Sequence, residues 1–481
     1  MHWRTVFRLF GLLFLFYSLS FLPSLGVAWL YQDGQMKEFV SSWLLCALLG
    51  LALWLPNHAK RQALSVREAF FVVALFWALI GAVAGLPFVL GLHLSVTDAV
   101  FESISGFTTT GATVMTGLDS LPPSILYHRQ QIQWLGGMGM IVLAVAILPL
   151  MGVGGSQLYR AESSGVAKFE KLTPRIAETA RSLWGIYVGL TLACALAYWA
   201  AGMTLFDAVG HAFATVATGG FSTHDASIGW FNSPLIESIA IVFMLAGGVN
   251  FAVHFVAWNR RNPLVYPRDP EARVYGGLFL GGSLFVALSL LWTQAYPGFA
   301  ESLRYGAFQV ASILTSTGFG TATFGEWPRH IPLTLVILSF IGGCIGSTAG
   351  GMKVMRVMLM ARQGVQQLVH LAHPRAMMTL KLGGRPVDQD TQFSIWGFAV
   401  LYTFVTLMLT LAMMGLGLDF TSAVGAVVAT INLLGPGLGE VASSFAGVDD
   451  AIKWLSLFAM LVGRLEVFTL LILFLPAYWR G

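Results

Sequence analysis

Long apolar runs separated by short polar segments make up nearly the whole chain. A helix that crosses a bilayer needs roughly 20 apolar residues, and ten runs approach or exceed that length. These runs lie near residues 6–30, 39–55, 69–91, 130–151, 182–203, 234–257, 274–295, 331–360, 393–416 and 451–478. The pattern predicts ten transmembrane helices.

Four further apolar pieces are too short to cross a membrane. They lie near residues 97–110, 206–219, 303–317 and 420–434. Because backbone at membrane depth must be buried in protein or line a wet cavity, each piece is expected to be a re-entrant half-helix. After an opening helical pair, the order span, half-helix, loop and span then recurs four times.

The expected fold class is an all-α integral membrane protein. It has ten transmembrane helices plus four re-entrant pore half-helices, in four pseudo-symmetric helix–pore loop–helix repeats around one pore. The expected divisions are an N-terminal helical pair at 1–60, repeat 1 at 61–158, repeat 2 with a preceding cytoplasmic linker at 159–260, repeat 3 with a broken second helix at 261–365, and repeat 4 at 366–481.

Composition and charge agree with a membrane protein whose partner is the lipid bilayer. The chain is 56% hydrophobic and 10% charged, whereas soluble proteins carry about 25% charged residues. With the N-terminus inside, 21 of the 27 basic residues fall on the cytoplasmic side, which predicts that both termini are cytoplasmic. The basic residues form no continuous stripe, so a nucleic-acid partner is not expected.

The outer side carries 14 of the 23 acidic residues. Such a negative mouth would raise the local concentration of cations. The acidic residues singled out there are Asp98, Glu102, Asp119, Asp207, Asp225, Glu237 and Glu440.

The four half-helices share a glycine at one fixed offset. Counting 13 residues from Asp98, Asp207, Tyr305 and Ser422 reaches Gly111, Gly220, Gly318 and Gly435. The surrounding loops read TTTGAT, ATGGFS, TSTGFG and NLLGPG. One glycine-rich loop would be a weak signal, since glycine is common where membrane helices pack, but four at one offset indicate a shared structural task.

The loops have the chemistry of a filter for monovalent cations. Rings of backbone carbonyls can replace the water of a dehydrated cation, and the required backbone angles favour glycine. The negative C-terminal ends of four half-helices would stabilise the ion further. The candidate ion-binding residues are Thr109, Thr110, Gly111, Thr218, Gly219, Gly220, Ser316, Thr317, Gly318, Asn432, Leu434 and Gly435.

In two of the loops, the glycine that belongs to the filter has more than one candidate. The fourth loop departs from the Thr-Gly pattern of the first and third, so Gly437 competes with Gly435. The second loop has adjacent glycines, Gly219 and Gly220, and the assignment there carries the same uncertainty of one residue.

The last span of the third repeat contains a stretch that should break its helix. It reads GGCIGSTAGGMK at 342–353, and such irregular backbone within a membrane indicates a wet or buried lining. A Walker phosphate loop is excluded because the spacing to Lys353 and the residue after it do not fit. A gating loop is expected, with a purely structural kink as the alternative. The candidate gate residues are Gly346, Ser347, Thr348, Ala349, Gly350, Gly351 and Lys353.

Arg464 lies within the last apolar run. A charge at that depth is costly and normally faces protein or water. It could act as a fixed pore charge that slows cations, as a latch on carbonyls of the broken span, or as a structural partner of a carboxylate such as Glu466.

These motifs, with the VGRLE stretch at 462–466, resemble the Trk/Ktr/HKT superfamily of potassium transporters over nearly the whole chain. The opening helical pair is typical of the Trk branch. The resemblance implies the ion-translocating subunit of a potassium uptake system in the bacterial cytoplasmic (inner) membrane, with potassium as the transported ion at the filter residues.

The same resemblance implies a homodimer in which each subunit has its own pore. It also implies cytosolic TrkA-like regulatory subunits that bind a nucleotide, either NAD or ATP/ADP, and control opening. In that family the broken span, matched here by Gly346 to Gly351, acts as an intramembrane gate.

Two other classes of function compete. An alternating-access symporter that couples potassium to protons or sodium would also contain broken helices, but such folds show two related halves rather than four units. An intramembrane enzyme is not expected, since no HExxH motif or pair of intramembrane carboxylates is present and His211 and His254 stand alone.

Overall fold

The fold is built almost entirely from helices. A computed structural model describes residues 1–58, 65–142, 176–328, 330–375, 379–383 and 385–480. Within these ranges the strands are limited to an antiparallel pair, Lys381–Leu382 with Arg385–Pro386. The predicted repeat 2 with its cytoplasmic linker, at 159–260, lies outside the described residues up to residue 175. The predicted run at 130–151 lies outside them beyond residue 142.

The described residues form α-helices along most of their length. The α-helices are Trp3–Ser18, Phe21–Tyr31, Met36–Trp54, Val66–Val83, Leu86–Leu92, Val96–Phe107, Pro123–Val142, Ile176–Ala200, Leu205–Val216, Pro234–Gly248, Phe251–Arg260, Val265–Arg268, Pro270–Trp292, Phe299–Leu314, His330–Ile341, Val354–Ala372, Gln389–Gly415, Phe420–Ile431, Asp450–Arg464, Glu466–Leu471 and Pro476–Trp479. Short 3₁₀ turns follow some of them, as at Leu55–Asn57.

Six of the described helices are long and apolar enough to span a membrane. The span expected at 234–257 is instead a helix pair bent by 99°, and the one expected at 451–478 is bent by 113°. Counting each bent pair as one span gives eight. The first bend follows Gly248, where Val249 is extended and the Asn250 side chain caps the next helix. The second follows Arg464, where Glu466 has a positive φ of 55°.

Four short helices lie inside the bundle, and we name them half-helices one to four. They are Val96–Phe107, Leu205–Val216, Phe299–Leu314 and Phe420–Ile431. A helix of 12 residues is only about 18 Å long, which is less than the bilayer core of roughly 30 Å. Most side chains of their C-terminal halves are buried. The third begins four residues earlier than the sequence pattern predicted.

The N-terminal helices pack through small residues. A Cβ built at Gly11 would lie 2.6 Å from the backbone nitrogen of Trp54, and one at Gly50 would lie 2.9 Å from the carbonyl oxygen of Gly11. Glycine therefore lets the helices Trp3–Ser18 and Met36–Trp54 approach closely, as small residues do in membrane helix pairs. One apolar cluster joins this pair to the first and fourth repeats.

We expect Gly11→Val to destabilise the purified protein. The added side chain must push the two helices apart, and overpacking of this kind costs about 1–3 kcal/mol. Thermal unfolding in detergent, followed by size-exclusion chromatography after heating, measures the loss. Gly26→Val is the matched control, because nothing lies within 4 Å of a Cβ at Gly26. Equal midpoints for the two variants would contradict the close packing at Gly11.

Candidate functional site

All four half-helices end in the same backbone motif. The last turn is closed by a bond from Thr110 N–H to Ser105 O of 2.8 Å, and the equivalent bonds start at Gly219, Thr317 and Leu434. In each motif the preceding residue takes a left-handed conformation, which glycine usually supplies at a helix end. Those residues are Thr109, Thr218, Ser316 and Leu433, with φ between 51° and 57°.

Two residues beyond each left-handed position stands a glycine with positive φ. Gly111, Gly220, Gly318 and Gly435 have φ between 80° and 92°. These are the four glycines that share the offset of 13 residues in the sequence. Gly437 has no positive φ and packs against Val441 instead, so the backbone makes Gly435 the equivalent of the other three.

The four glycines form a closed ring with backbone carbonyls. A Cβ at Gly111 would overlap the carbonyl oxygen of Gly219, one at Gly220 would overlap that of Thr317, and one at Gly318 would overlap that of Leu434. The ring closes because a Cβ at Gly435 would lie 2.8 Å from the carbonyl oxygen of Thr110. Each glycine thus faces the residue before the glycine of the next repeat, in the order one, two, three, four.

The four loops that follow the half-helices, which we call filter loops after the role that the sequence predicts for them, are supported in two ways. In loops one and three, paired hydroxyls hold the backbone: Thr108 with Thr110 at 2.7 Å, and Thr315 with Thr317 at 2.6 Å. The other two loops lack this pair of threonines and use side chains from elsewhere in the chain.

Gln133 supports the second loop across Gly220. Its Nε2 donates to the carbonyl oxygen of Gly219 at 2.5 Å, and its Oε1 accepts from Phe221 N–H at 3.0 Å. A Cβ at Gly219 would lie 2.5 Å from the Gln133 amide carbon. The adjacent glycines therefore have separate roles, since Gly220 supplies the left-handed backbone and Gly219 leaves room for the amide.

The fourth loop is held through Asn432. Its amide nitrogen donates to Ser339 Oγ at 2.9 Å, and its Oδ1 accepts from the hydroxyl of Tyr402. Asn432 is fully buried. The asparagine that replaces threonine in this loop is thus part of the support.

A buried ion pair stands behind the first and second loops. Arg129 Nε lies 2.5 Å from Glu102 Oε1, and both side chains are at most 2% exposed. Glu102 also accepts from Val114 N–H at 2.8 Å, while Arg129 donates to the carbonyl oxygen of Ser222 at 2.9 Å and stacks on Phe221. Sequence reasoning missed these supporting roles, although the polar stretch RQQIQ at 129–133, at the start of an apolar span, is a signal for buried partners.

Several acidic residues assigned to an open negative mouth are instead paired. Glu102 pairs with Arg129, Glu237 with Arg304 at 2.6 Å, and Asp98 with Lys453 at 2.7 Å. Three basic residues thus neutralise outer carboxylates, which weakens the argument that a negative mouth concentrates cations.

Another outer carboxylate bonds to a histidine. His224 lies 2.5 Å from Asp119, and this hydrogen bond lowers the pKa of the Asp119 carboxyl. The contact ties the loop after half-helix one to the second filter loop.

The segment Gly342–Lys353 separates two helices, and we call it the gate loop after the role that the sequence predicts for it. The helix His330–Ile341 ends before it, and Val354–Ala372 begins after it. Gly342, Gly346 and Gly351 have positive φ, which explains the density of glycine. The predicted break in the third repeat is therefore present, and its core, Ala349 with its neighbours Ser347 and Thr348, is buried.

The gate loop contacts three filter loops. Thr348 Oγ1 accepts from Thr218 Oγ1 at 3.1 Å, and Gly350 N–H donates to Ser316 Oγ at 2.5 Å. A Cβ at Gly350 would overlap the carbonyl oxygen of Asn432. Thr218 and Ser316 are the left-handed residues at the ends of their half-helices, so the loop packs directly against that end of the ring. Lys353 folds back and donates to the carbonyl oxygen of Ala349.

Arg464 is buried and bridges the gate loop to the first repeat. Its Nη1 donates to the carbonyl oxygen of Thr348 at 3.1 Å and its Nη2 to that of Gly136 at 3.0 Å. Its guanidinium lies 5.0 Å from the ring of Trp77. Glu466, considered above as a partner of Arg464, pairs with Arg356 at 2.7 Å instead.

The donor set of the site consists of backbone carbonyls and hydroxyls. Among the residues that the structure describes, no group of three or more His, Cys, Asp or Glu side chains could hold a metal ion. Carbonyl rings bind dehydrated monovalent cations. The fold and site together define a multi-span membrane protein in which four short helices end at one ring of backbone carbonyls.

Comparison with known proteins agrees with this class. The sequence profile of the TrkH family, described as cation transport protein, matches residues 35–480. The chain belongs to the TrkH family.

Individual relatives match over the full length. The chain is 49% identical to the Trk system potassium uptake protein TrkH of Salmonella typhimurium, with 100% of both chains covered, and 48% identical to that of Escherichia coli K12, again with 100% of both. It is 39% identical to the protein TrkG of the same E. coli strain, over 100% of this chain and 99% of the relative. The crystal structure of the potassium transporter TrkH from Vibrio parahaemolyticus superposes with a TM-score of 0.93 at 46% identity and covers 100% of both chains.

We expect Arg129→Met to be strongly destabilising and Glu102→Gln to rescue part of the loss. Removing one member of a buried pair leaves an uncompensated charge, which costs about 3–5 kcal/mol. The glutamine retains an acceptor for Val114 N–H without the charge. Thermal midpoints of the single and double variants in detergent measure the effect. A double variant no more stable than Arg129→Met would contradict the pairing.

Proposed function

We propose that this chain is the ion-translocating subunit of a Trk-type system and takes up potassium through a gated pore. The single observation that carries the proposal is the closed ring of four glycines and four carbonyls. Four equivalent loops that meet in order around one axis are what a cation filter requires. The names of the full-length relatives support potassium as the ion.

The filter in this proposal comprises the twelve residues assigned from the sequence. The carbonyl oxygens around the ring replace the hydration shell of potassium, and the half-helix C-terminal ends supply negative potential. The supports behind each loop keep the carbonyls in place without contributing a carboxylate ligand. This suits a monovalent cation better than a divalent one.

The proposed topology has ten spans and four half-helices in four repeats, with the divisions given by the sequence. The two bent pairs and the interrupted pair of helices around Gly342–Lys353 each count as one span. Both termini lie in the cytoplasm, as the distribution of Lys and Arg favours, and the membrane is the bacterial cytoplasmic membrane.

The gate loop closes the pore in this proposal. Its contacts with Thr218, Ser316 and Asn432 at the end of the ring support this role. The hydrogen bond from Arg464 to the carbonyl oxygen of Thr348 supports the latch role over a free pore charge. Opening requires this contact and those to the half-helix ends to be exchanged for others.

The proposed assembly is a homodimer with one pore per subunit. Cytosolic TrkA-like subunits bind NAD or ATP/ADP and control the gate, so no nucleotide binds to this chain itself. The resemblance to the Trk family and the relatives named as members of a Trk system support this assignment. An alternating-access symporter is the competing mechanism, and it predicts flux that saturates and depends on a proton or sodium gradient.

We expect Gly318→Ser to lower the ratio of rubidium to sodium uptake severalfold. The new Cβ would overlap the carbonyl oxygen of Leu434 and strain a left-handed backbone that glycine tolerates. Gly111→Ser should act alike through Gly219. Uptake into vesicles that contain the purified protein, and potassium-limited growth of a transport-deficient strain, measure the effect.

The matched control is Gly320→Ser, in the same loop, where nothing lies within 4 Å of a Cβ. The control should keep the wild-type ratio. If Gly111→Ser and Gly318→Ser also keep it, the ring is not the filter.

We expect both Arg464→Ala and Arg464→Lys to raise flux in the absence of partner subunits, with little change in selectivity. Lysine keeps the charge but cannot reproduce the planar fork that reaches Thr348 and Gly136 at once. Arg304→Lys is the control, because it disturbs a guanidinium–carboxylate fork on Glu237 and the described contacts of Arg304 do not include the gate loop. Wild-type flux with Lys and high flux with Ala would favour the pore charge over the latch.

A further inference from the structure

Glu271 is a buried carboxylate that the filter does not use. It stands at the second position of the helix Pro270–Trp292 and is 2% exposed. This helix is the first span of the third repeat and is separate from both helices that flank the gate loop. A buried carboxylate requires hydrogen-bond or charged partners to offset its lost hydration, so its contacts are informative.

One oxygen of Glu271 bonds both to the gate loop and to the helix that follows it. Its Oε1 accepts from Ile345 N–H at 2.8 Å and from Met355 N–H at 3.1 Å. Ile345 precedes the segment Gly346–Gly351 in the chain, and Met355 follows it. The carboxylate therefore joins two backbone positions that are ten residues apart.

The second of these contacts completes a helix end that has no cap of its own. The helix Val354–Ala372 begins after Lys353, whose side chain makes no cap, and no acidic residue lies in its first turn. The first N–H groups of a helix need acceptors, and its positive end favours a carboxylate. Glu271 supplies both from the neighbouring helix.

The two ends of the loop are also bonded to each other. Val354 N–H donates to the carbonyl oxygen of Gly343 at 3.0 Å, and Met352 N–H donates to that of Phe340 at 2.9 Å. The central part instead contacts the filter loops and Arg464. The loop thus has a base, where Ile345 and Met355 bond to Glu271. It also has a tip, at Thr348 and Gly350, that lies against the ring.

We propose that Glu271 is a positioning residue of the gate, which fixes the base of the loop so that its tip can seat against the filter. This inference rests on the proposed gating function. Loss of the carboxylate oxygen would free Ile345 and Met355, loosen the base and unseat the tip. Selectivity would stay unchanged, because Glu271 has no contact with the filter loops among the described hydrogen bonds.

A cysteine within the gate loop, Cys344, can be labelled to test this proposal. Cys344, next to Ile345, is 1% exposed, and the other cysteines of the chain are Cys46 and Cys194. In the full-length protein with Cys46→Ser and Cys194→Ala, Cys344 is the single thiol. Its rate of reaction with a small methanethiosulfonate in lipid vesicles reports how often the base of the loop opens.

Three substitutions at Glu271 distinguish the effect of side-chain length from that of charge. Glu271→Leu removes the acceptor, and Glu271→Asp keeps the charge but shortens the side chain so that one oxygen cannot reach both N–H groups. We expect each to speed labelling of Cys344 about tenfold or more, since a buried N–H left unpaired is costly. Glu271→Gln keeps an oxygen acceptor and should label within about twofold of the wild-type rate.

The control is Asp269→Ala. Asp269 caps the same helix through Ala272 N–H at 2.8 Å but makes no hydrogen bond to the gate loop in the described contacts. It should label like the wild type. Should Glu271→Leu fail to fold, Glu271→Asp alone decides. Wild-type labelling in the variants that fold, or equal labelling in Gln and Asp, overturns the positioning role.

Rubidium flux without partner subunits separates this inference from the proposed function. Glu271→Asp should raise flux with an unchanged rubidium-to-sodium ratio, as should a chain in which Gly346–Gly351 is shortened. If shortening leaves flux at the wild-type level, the loop is not the gate, whatever the labelling shows. Another outcome is that shortening raises flux while Glu271→Asp keeps the wild-type labelling rate and flux. That result would support the gate loop as the gate and contradict the positioning role of Glu271.

Discussion

The absence of a side chain at four glycines is the constraint on which the site depends. Gly111, Gly220, Gly318 and Gly435 each face a carbonyl of the next repeat so closely that three of the four positions leave no space for a Cβ. Their positive φ values turn the chain immediately after the half-helix ends. Because the ring includes one loop from each repeat, the position of every half-helix is tied to those of its two neighbours.

The backbone around the ring has nearly four-fold symmetry, but the side chains that support each loop differ. Loops one and three hold themselves through threonine pairs, whereas loop two depends on Gln133 and loop four on Asn432 with Tyr402. Buried polar groups need partners in the protein because a bilayer offers none. A single chain with four unequal repeats can solve this separately at each loop, which a symmetric assembly of identical subunits cannot do.

The gate loop adds a second asymmetry, since only the third repeat carries it in the described chain. Its tip contacts loops two, three and four, and Arg464 connects it to the first repeat. Its base is held by Glu271. The segment is therefore fastened by hydrogen bonds as well as by the apolar packing of Cys344 and Ile345. Its hydrogen bonds can be exchanged for others at little net cost.

The sequence by itself determined the features that depend on local pattern. Apolar run lengths predicted where the long and the short helices lie. The common offset identified the glycines that form the ring, and glycine density located the break between the helices His330–Ile341 and Val354–Ala372. Tertiary structure alone decided which distant groups meet: Gln133 at Gly219, Arg129 with Glu102, Arg356 rather than Arg464 with Glu466, and Glu271 beneath the gate loop. It also decided the bends after Gly248 and Arg464. Periodicity and composition report each residue's environment, whereas the pairing of buried polar groups depends on how helices far apart in the chain pack together.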